Sequence, residues 1–270
     1  MKTNEKKSVV VTGTGKGMGR AIAAHLSSQG WFVVGVERSS GSNTISEGVC
    51  HEVIIGDSSE KPTHRLAAQA AVAEAPLTGW VNNAGITRRT PLHELDEEAV
   101  REIVSINGFG YLWGCAAAVE AFMEQDVPGA IVNIGSIHGR ISFPGFAAYD
   151  FTKGGIDALA RSVAVSYGAL GIRANTLAPG AVWTPHLETF IAEAPDPKLL
   201  ESALLGGSPS GRFATMDEVA RVTAFLLSPE SSYLNGQSIA LDGGWTASSG
   251  VGELDDSVKE KLSDRAAKEG

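Results

Sequence analysis

The sequence predicts an α/β fold in which helices cover both faces of a seven-stranded, mostly parallel sheet. Short apolar runs alternate with helical patterns along the chain, as expected for repeated β–α–β units. The runs are almost continuously apolar, which favours strands buried on both faces. The first run, at residues 9–12, leads through a glycine-rich turn into a helical pattern. Right-handed crossovers between such strands produce a doubly wound sheet.

The elements follow one another without an internal repeat or a linker rich in Pro and Ser. Strands are predicted at residues 9–12, 32–36, 53–55, from 80 onward, 130–134, 173–177 and 238–241. Helices are predicted at residues 20–28, 65–74, 96–123, 149–167 and 217–227. The segment from Ser39 to Val49, between the second and third strands, contains no obvious full helix. This uninterrupted succession of strands and helices predicts a single domain.

Two segments stand apart from the predicted sheet. Residues 184–211 contain four prolines around short helical pieces and are predicted to form a mobile flap over the active site. Residues 249–270 form a charged C-terminal tail, predicted as a surface helix or, alternatively, as a segment that docks on a neighbouring subunit. We therefore predict one domain over residues 1–248, followed by this tail.

Composition narrows the class of protein and its partners. The 270 residues carry a net charge of −9, which disfavours nucleic acid and anionic membrane surfaces as partners. No run of about 18 apolar residues is present to span a membrane, and the start does not resemble a secretion signal. Two cysteines, Cys50 and Cys115, suit a reducing compartment, so a cytoplasmic protein is expected. The six histidines lack metal-ligand spacing, so no metal is expected.

The turn after the first strand predicts a nucleotide-binding loop. A strand that enters such a turn aims the next helix N-terminus at the crevice above the sheet, where unpaired N–H groups and the helix dipole attract phosphate. Glycines let the backbone approach the ligand, whereas a tight structural turn hardly requires four of them. The candidate loop residues are Gly13, Gly15, Lys16, Gly17, Met18 and Gly19.

Two acidic side chains at strand ends are candidates for contacts with the nucleotide. Glu37, near the end of the second strand, can accept hydrogen bonds from the adenosine ribose and would repel a 2′-phosphate, which favours NAD. Arg38 and Lys16 can pair with a 2′-phosphate, so NADP stays possible. Asp57, after the third strand, either accepts from the adenine amino group or caps the next turn. Asn83, Ala84 and Gly85, after the fourth strand, suit a backbone close to the ligand.

Four polar residues predict acid–base chemistry beside this loop. Tyr149 and Lys153 lie four residues apart, on one face of a predicted helix. An ammonium group lowers the pKa of a nearby phenol, so Tyr149 could exchange a proton with an alcohol or a ketone. Ser136, at the end of the fifth strand, could hold the substrate oxygen. Asn107 is unusual within a long helical pattern and could hold a water molecule that connects Lys153 to solvent.

Together these motifs resemble the short-chain dehydrogenase/reductase family over about residues 8–247. The Thr-Gly-x-x-x-Gly-x-Gly loop, the Asn-Asn-Ala-Gly motif and the Tyr-x-x-x-Lys motif match, as do two C-terminal signatures at 235–237 and 241–244. The resemblance implies a Rossmann-like domain, a nicotinamide cofactor and a Ser–Tyr–Lys mechanism supported by an Asn, without a metal. It also implies a homotetramer built on the helices at 96–123 and 150–168. The segment matching the family's nicotinamide-binding residues contains Pro179, Gly180, Val182 and Thr184.

The sequence says less about the substrate. His138 lies two residues after Ser136, and His186 two after Thr184, so both can border it. Aromatic residues in the same loops hint at an apolar or cyclic alcohol. The candidate substrate residues are Ser136, His138, Phe143, Phe146, Tyr149, Trp183 and His186. The alternatives are a 3-oxoacyl-thioester reductase, for which the acidic chain offers little basic docking surface, and a dinucleotide-sensing protein without catalysis.

Overall fold

The computed structural model describes residues 6–38, 48–249 and 254–269, the last five of them by backbone alone. Seven parallel strands form one sheet in the order β3-β2-β1-β4-β5-β6-β7. Their bounds are β1 Lys7–Thr12, β2 Trp31–Glu37, β3 Glu52–Ile55, β4 Leu77–Asn82, β5 Ala130–Ile134, β6 Arg173–Pro179 and β7 Ser238–Leu241. The predicted doubly wound α/β sheet is confirmed, and every strand pair in it is parallel.

Nine helices are described around this sheet. They are α1 Gly17–Ser28, α2 Lys61–Glu74, α3 Glu97–Ile103, α4 Gly110–Glu124, α5 Ala147–Tyr167, α6 Pro185–Ala192, α7 Pro197–Gly207, α8 Met216–Leu227 and α9 Asp256–Glu269. None of them combines the length and the apolar character that crossing a membrane requires.

The core consists of two apolar layers, one on each face of the sheet. Successive side chains of β1 alternate between them because side chains of a strand point to opposite faces. Val10 joins the layer that contains Trp80 and Phe122, whereas Val9 and Val11 join the opposite layer. All five residues are fully buried. Because both faces are covered, the strands read as continuous apolar runs in the sequence.

One predicted helix is wrong in detail. The pattern at 96–123 is not a single helix: α3 and α4 are separated by a π-helical segment, Val104–Phe109. This segment contains Asn107 and Gly108, both poor formers of a helix interior. π-Helical turns occur often at functional sites.

The segments outside the sheet match their predicted local structure. The region at 184–211 contains α6 and α7, each with Pro in its first turn, where a missing N–H has no cost. The tail contains α9, whose described side chains, 256–264, are exposed. Most of the segment at 39–49, predicted to lack a full helix, lies outside the described residues.

Candidate active site

The candidate site lies at the carboxyl ends of the central strands. Strand β1 has β2 on one side and β4 on the other, so the strand order reverses at this point. Crevices at such reversals are the usual ligand sites of parallel sheets. The glycine turn follows β1, the segment 83–85 follows β4, and Ser136 follows β5. The fold therefore brings together three motifs that are far apart in the sequence.

The glycine turn has the conformation that only glycine supports. Gly13 and Gly17 have φ values of 74° and 61°. A Cβ on Gly13 would lie 2.9 Å from the Cα of Ala84, whereas a Cβ on Gly17 would meet nothing within 4 Å. A Cβ on Gly19 would overlap the carbonyl oxygen of Gly13. Close packing beneath the turn and open space at the N-terminus of α1 are what a bound pyrophosphate needs.

Hydrogen bonds join β1 to the segment after β4. The Oγ1 of Thr12 accepts from the backbone N–H groups of Asn83 and Ala84, at 2.9 and 3.0 Å. The Nδ2 of Asn83 donates to the carbonyl oxygen of Thr12, 2.9 Å away. One strand further, the Nδ2 of Asn82 donates to Oδ1 of Asn133 at 2.8 Å. These bonds hold the floor of the crevice rigid.

The predicted adenosine side contains one buried carboxylate and two exposed cations. Glu37 is 9% exposed, and Oγ1 of Thr14 donates to its Oε1 at 3.1 Å. Lys16, the N-cap of α1, and Arg38 are exposed. The Oδ1 of Asp57 accepts from the N–H of Ser59 at 2.8 Å, which is the capping alternative, and its contact with adenine stays a prediction.

The reactive group is assembled from β5 and the first turns of α5. The hydroxyl groups of Ser136 and Thr87 are near enough to the Tyr149 oxygen for hydrogen bonding to lower its pKa. The Nζ of Lys153 donates to the carbonyl oxygen of Ile134 at 3.0 Å. It lies 5.4 Å from the centre of the Tyr149 ring. The spacing of four residues on α5 thus places phenol and amine in one site, as predicted.

Burial is the largest influence on the pKa values of Tyr149 and Lys153. Burial raises the pKa of Tyr149, and the hydrogen bonds from Thr87 and Ser136 oppose this shift without cancelling it. Burial also lowers the pKa of Lys153 to about 7, although Asp157 acts in the opposite direction. The effect of Lys153 on the pKa of Tyr149 stays a prediction. Loss of water disfavours both charged forms more than the neighbouring charges favour them.

Asn107 is fully buried in the π-helical segment. Its Oδ1 accepts from the N–H of Ile86 at 2.9 Å, and its Nδ2 donates to the carbonyl oxygen of Ile86 at 2.8 Å. Both ends of the amide thus hold the segment between Gly85 and Thr87. This places Asn107 as a positioning residue, and the water that it could hold stays a prediction.

The segment after β6 runs alongside the last strand. Gly180 donates its N–H to the carbonyl oxygen of Leu241 at 3.0 Å, next to the end of β6 at Pro179. Val182 is buried and pairs with Ala214 in an isolated bridge. Oγ1 of Thr184 accepts from the N–H of Leu187 and thereby caps α6. Contact of these residues with the nicotinamide stays a prediction.

Four of the candidate substrate residues form one aromatic cluster. The His138 ring stacks on Phe143, with centroids 4.4 Å apart, and meets the edges of Phe146 and Tyr149 at 5.6 and 5.0 Å. Phe143 also meets Trp245, at 5.6 Å, which the sequence did not single out. We call these five residues the aromatic cluster.

Trp183 and His186 stand outside it. The Trp183 ring packs on Phe213 instead, with centroids 5.2 Å apart, and the His186 side chain is exposed on α6. Neither makes a ring contact with the aromatic cluster in the described structure. Their substrate contact stays a prediction.

Two site residues escaped sequence reasoning. Thr87 lies two residues beyond the Asn-Ala-Gly motif, and Asp150 directly follows Tyr149. Asp150 contacts His138 through a hydrogen bond of 2.5 Å between its Oδ1 and Nδ1. A search a few residues beyond each motif would have included Thr87 and Asp150. It would not have shown their contacts, because Tyr149 and His138 are distant from them in the sequence. Within the described residues, no group of three or more His, Cys, Asp or Glu side chains is arranged to bind a metal.

Comparison with known proteins agrees with this geometry. A family model described as enoyl-(acyl carrier protein) reductase matches residues 13–246. The 3β-hydroxysteroid dehydrogenase 1 of Eggerthella lenta is 33% identical over 248 residues, which cover 89% of this chain and 94% of that protein.

Two solved structures have the same fold. The crystal structure of levodione reductase is 30% identical, with a TM-score of 0.84, and the match covers 90% of this chain and 99% of that one. A gluconate 5-dehydrogenase from Burkholderia cenocepacia, in complex with NADP and tartrate, is 28% identical, with a TM-score of 0.81 and coverage of 91% and 97%. The chain belongs to the short-chain dehydrogenase/reductase family.

Proposed function

We propose that this protein oxidises a cyclic or otherwise apolar secondary alcohol to a ketone and catalyses the reverse reaction, with NAD favoured over NADP. As a member of its family, it is an oxidoreductase that interconverts alcohols and ketones with a nicotinamide dinucleotide. The observation that carries the proposal is the placement of the Tyr149 phenol beside Lys153 on the same helix, with the hydroxyl groups of Ser136 and Thr87 near enough to lower the pKa of the phenol.

The proton chemistry is assigned to Tyr149. The raised pKa keeps its phenol protonated at neutral pH, so Tyr149 can give a proton to the oxygen of a ketone. In the opposite direction, the phenolate takes the proton of an alcohol, and the hydroxyls of Ser136 and Thr87 stabilise that phenolate. When the substrate is bound, Ser136 turns its single hydroxyl proton to the reacting oxygen and holds it, which leaves Thr87 as the donor to Tyr149. The chemistry that the nicotinamide supplies when bound is hydride transfer.

Lys153 and Asn107 organise this site. The amine of Lys153 donates to Ile134 and keeps two further N–H groups that can reach the ribose of the dinucleotide and the proton relay. Asn107 fixes the backbone at Ile86, next to Thr87. A displaced Thr87 would leave the Tyr149 oxygen with one donor fewer. Asn107 thus supports the proton relay through its neighbours.

The cofactor preference is proposed from the charge at the end of β2. The carboxylate of Glu37 is buried, so it would face a 2′-phosphate across little solvent and repel it strongly. Lys16 and Arg38 are exposed, and water screens their attraction for the same phosphate. We therefore expect NAD to be preferred. The variant Glu37→Gln should raise kcat/KM for NADP relative to NAD by about tenfold.

The substrate class is proposed from the aromatic cluster. The rings of His138, Phe143 and Phe146 lie beside Tyr149 and are only partly buried, so they offer an apolar wall to a substrate. The segment 184–211, with α6 and α7, is proposed as the mobile flap that closes over it. Trp183 and His186 lie at the start of this flap and would reach the substrate on closure.

A homotetramer in the cytoplasm completes the proposal. Apolar side chains on α4 and α5 are exposed, among them Leu112, Phe151 and Val165, the last of these to 87%. A row of such residues on two neighbouring helices favours burial against a second copy. The sequence has two cysteines, which suits a reducing compartment. Light scattering of the purified protein and of Val165→Glu tests the assembly, which the variant should weaken.

The experiment that tests the function is a rate screen that follows reduced nicotinamide. It pairs NAD and NADP with cyclic, aromatic, steroid and sugar-type secondary alcohols, and the reduced cofactors with the matching ketones and with a 3-oxoacyl thioester. Turnover of cyclic substrates with NAD supports the proposal. A preference for 3-oxoacyl thioesters with NADP contradicts it in favour of a biosynthetic reductase. Tight cofactor binding without any turnover contradicts it in favour of a dinucleotide-sensing protein.

A further inference from the structure

His138 is held rigidly beside the reacting groups. It lies in the turn Ile137–Gly139, and its backbone N–H donates to the Oγ of Ser136 at 3.2 Å. Its ring is stacked on Phe143 and touches the edge of Tyr149. These contacts fix the position of the imidazole. It lies next to Tyr149 and two residues after Ser136, the residues proposed to contact the substrate oxygen.

Asp150 decides which imidazole nitrogen carries the proton. Its Oδ1 lies 2.5 Å from Nδ1 of His138, and both side chains are more than four-fifths buried. A carboxylate can only accept a hydrogen bond, so the proton is on Nδ1. Asp150 also lies in the first turn of α5, where the helix dipole favours its negative charge. A short bond to an ionised acceptor is among the stronger hydrogen bonds in proteins.

The second nitrogen of the ring is left as an acceptor. Burial lowers the pKa of His138, with Lys153 acting in the same direction and Asp150 in the opposite one, so the ring is neutral at neutral pH. Its Nε2 then has a lone pair and no proton. In the described structure Nε2 has no hydrogen-bond partner, and it is not among the buried polar atoms that lack one. It is therefore open to a ligand.

We propose that Asp150 and His138 form a specificity pair, in which Nε2 of His138 accepts a hydrogen bond from a second hydroxyl group of the substrate, on the carbon next to the reacting one. This inference rests on the proposed function and narrows its substrate to vicinal diols and the matching hydroxyketones. The adjacent carbon is chosen because His138 follows Ser136 by only two residues and contacts the Tyr149 ring. Asp150 acts as a positioning residue, since it touches His138 and not the substrate.

The same geometry disfavours other substituents at that carbon. A carboxylate or a carbonyl group offers only acceptors, and two acceptors facing each other repel. A plain methylene group leaves the acceptor Nε2 without a donor once the substrate covers it, which costs binding energy. A cyclic substrate can pack on the rings of Phe143 and Phe146. A substrate ring that carries two adjacent hydroxyl groups therefore fits both these rings and Nε2 of His138.

The kinetic test compares a vicinal cyclohexanediol with cyclohexanol under the same conditions. Wild type should prefer the diol in kcat/KM, and Asp150→Asn and His138→Phe should each reduce this preference about tenfold, the upper range for one hydrogen bond. His138→Phe keeps an aromatic ring against Phe143 and removes the acceptor. Asp217→Asn, the same change at an exposed site on α8, is the control and should keep the preference. A merely structural role of Asp150 would change both substrates alike.

A second measurement does not depend on turnover. Nitrogen NMR of protein with isotope-labelled histidine reports the tautomer of His138 directly, with His138→Phe to assign the signal. The expected result is a protonated Nδ1 and a bare Nε2 that shifts when the diol is added to the cofactor complex. A protonated Nε2, or an equal diol preference in wild type and both variants, would overturn the specificity pair. Failure of wild type to oxidise either alcohol, with the expected tautomer present, would instead overturn the proposed function and the inference with it.

Discussion

The Nζ of Lys153 lies 5.4 Å from the centre of the Tyr149 ring, and both groups are in a site that excludes much of the water. Each group would stabilise the charged form of the other, yet burial disfavours both charges. The result is a phenol with a raised pKa beside an amine with a pKa of about 7. At pH 7 the phenol of Tyr149 keeps its proton, and about half of the Lys153 amines are charged.

For this reason, kcat/KM for alcohol oxidation and kcat/KM for ketone reduction should depend differently on pH. Oxidation of an alcohol needs the phenolate, so its kcat/KM should rise as pH rises from 7 toward the raised pKa of Tyr149. Reduction of a ketone needs the phenol, so it should stay level through neutral pH. Initial rates in both directions between pH 6 and about 10 check this. Oxidation that reaches its plateau below pH 7 would show that the phenol pKa is lowered instead.

The stability of the cofactor-free protein should depend on pH through Lys153. Its pKa is about 7 when folded and about 10.4 when unfolded, so between these values the unfolded chain binds the extra proton. The free energy of unfolding of wild type should therefore rise with pH in this window, by up to about 1.4 kcal/mol per unit. Below pH 7 both states are protonated and the slope vanishes.

The comparison for this prediction is Lys153→Met, which has no proton to lose at that position. Urea unfolding of both proteins at several pH values from 7 upward separates this contribution from all other groups. Parallel stability curves for the two proteins would contradict the lowered pKa of Lys153.

Removal of the phenol oxygen should abolish catalysis without removing the cofactor. Tyr149→Phe keeps the ring that His138 contacts and loses the proton carrier, so kcat should fall by about 10² to 10⁴-fold. Titration with reduced nicotinamide should show binding close to that of wild type. Tyr233→Phe, at a fully exposed tyrosine, is the matched control. Near wild-type turnover in Tyr149→Phe would rule out its role as acid and base.

Thr87 should lower the pKa of the Tyr149 phenol through one hydrogen bond. Thr87→Val removes a donor to the phenolate, so kcat/KM for oxidation should fall about 2 to 10-fold. The pH at which oxidation reaches half its maximum should move upward because the phenolate loses a stabilising contact. Thr87→Ser restores the hydroxyl and should restore both values. An unchanged pH profile in Thr87→Val would show that the contact has no influence on the proton.

Two glycines allow a matched test of the cofactor loop. A Cβ on Gly19 would overlap the backbone of Gly13, so Gly19→Ala should destabilise the fold by about 3 kcal/mol and weaken cofactor binding. A Cβ on Gly206, in α7, meets nothing within 4 Å, so Gly206→Ala should leave binding unchanged and stabilise the helix by about 0.5 kcal/mol. Thermal unfolding of both variants, with and without NAD, measures their stability and their cofactor binding. Equal effects of the two changes would contradict the close packing beneath the loop.

Much of the fold was predictable because local signals agreed with it. The apolar runs of β1 and β5 are buried on both faces, so the sequence itself marks them as inner strands of a parallel sheet. The four-residue spacing of Tyr149 and Lys153 fixes their shared side of α5 by helix geometry alone. The break at Val104–Phe109 was visible only as the misfit of Asn107, since the π-helical turn depends on bonds to Ile86.

The sequence by itself determined the sheet, the glycine turn and the set of reactive residue types, because each depends on periodicity or on residues adjacent in the chain. The tertiary structure alone decided the state of these groups. Burial set the direction of the pKa shifts of Tyr149 and Lys153. Contacts across distant segments brought Thr87 to the phenol and Asp150 to His138. Solvent exclusion and contacts between distant residues arise only when the chain has packed, so no local pattern encodes them.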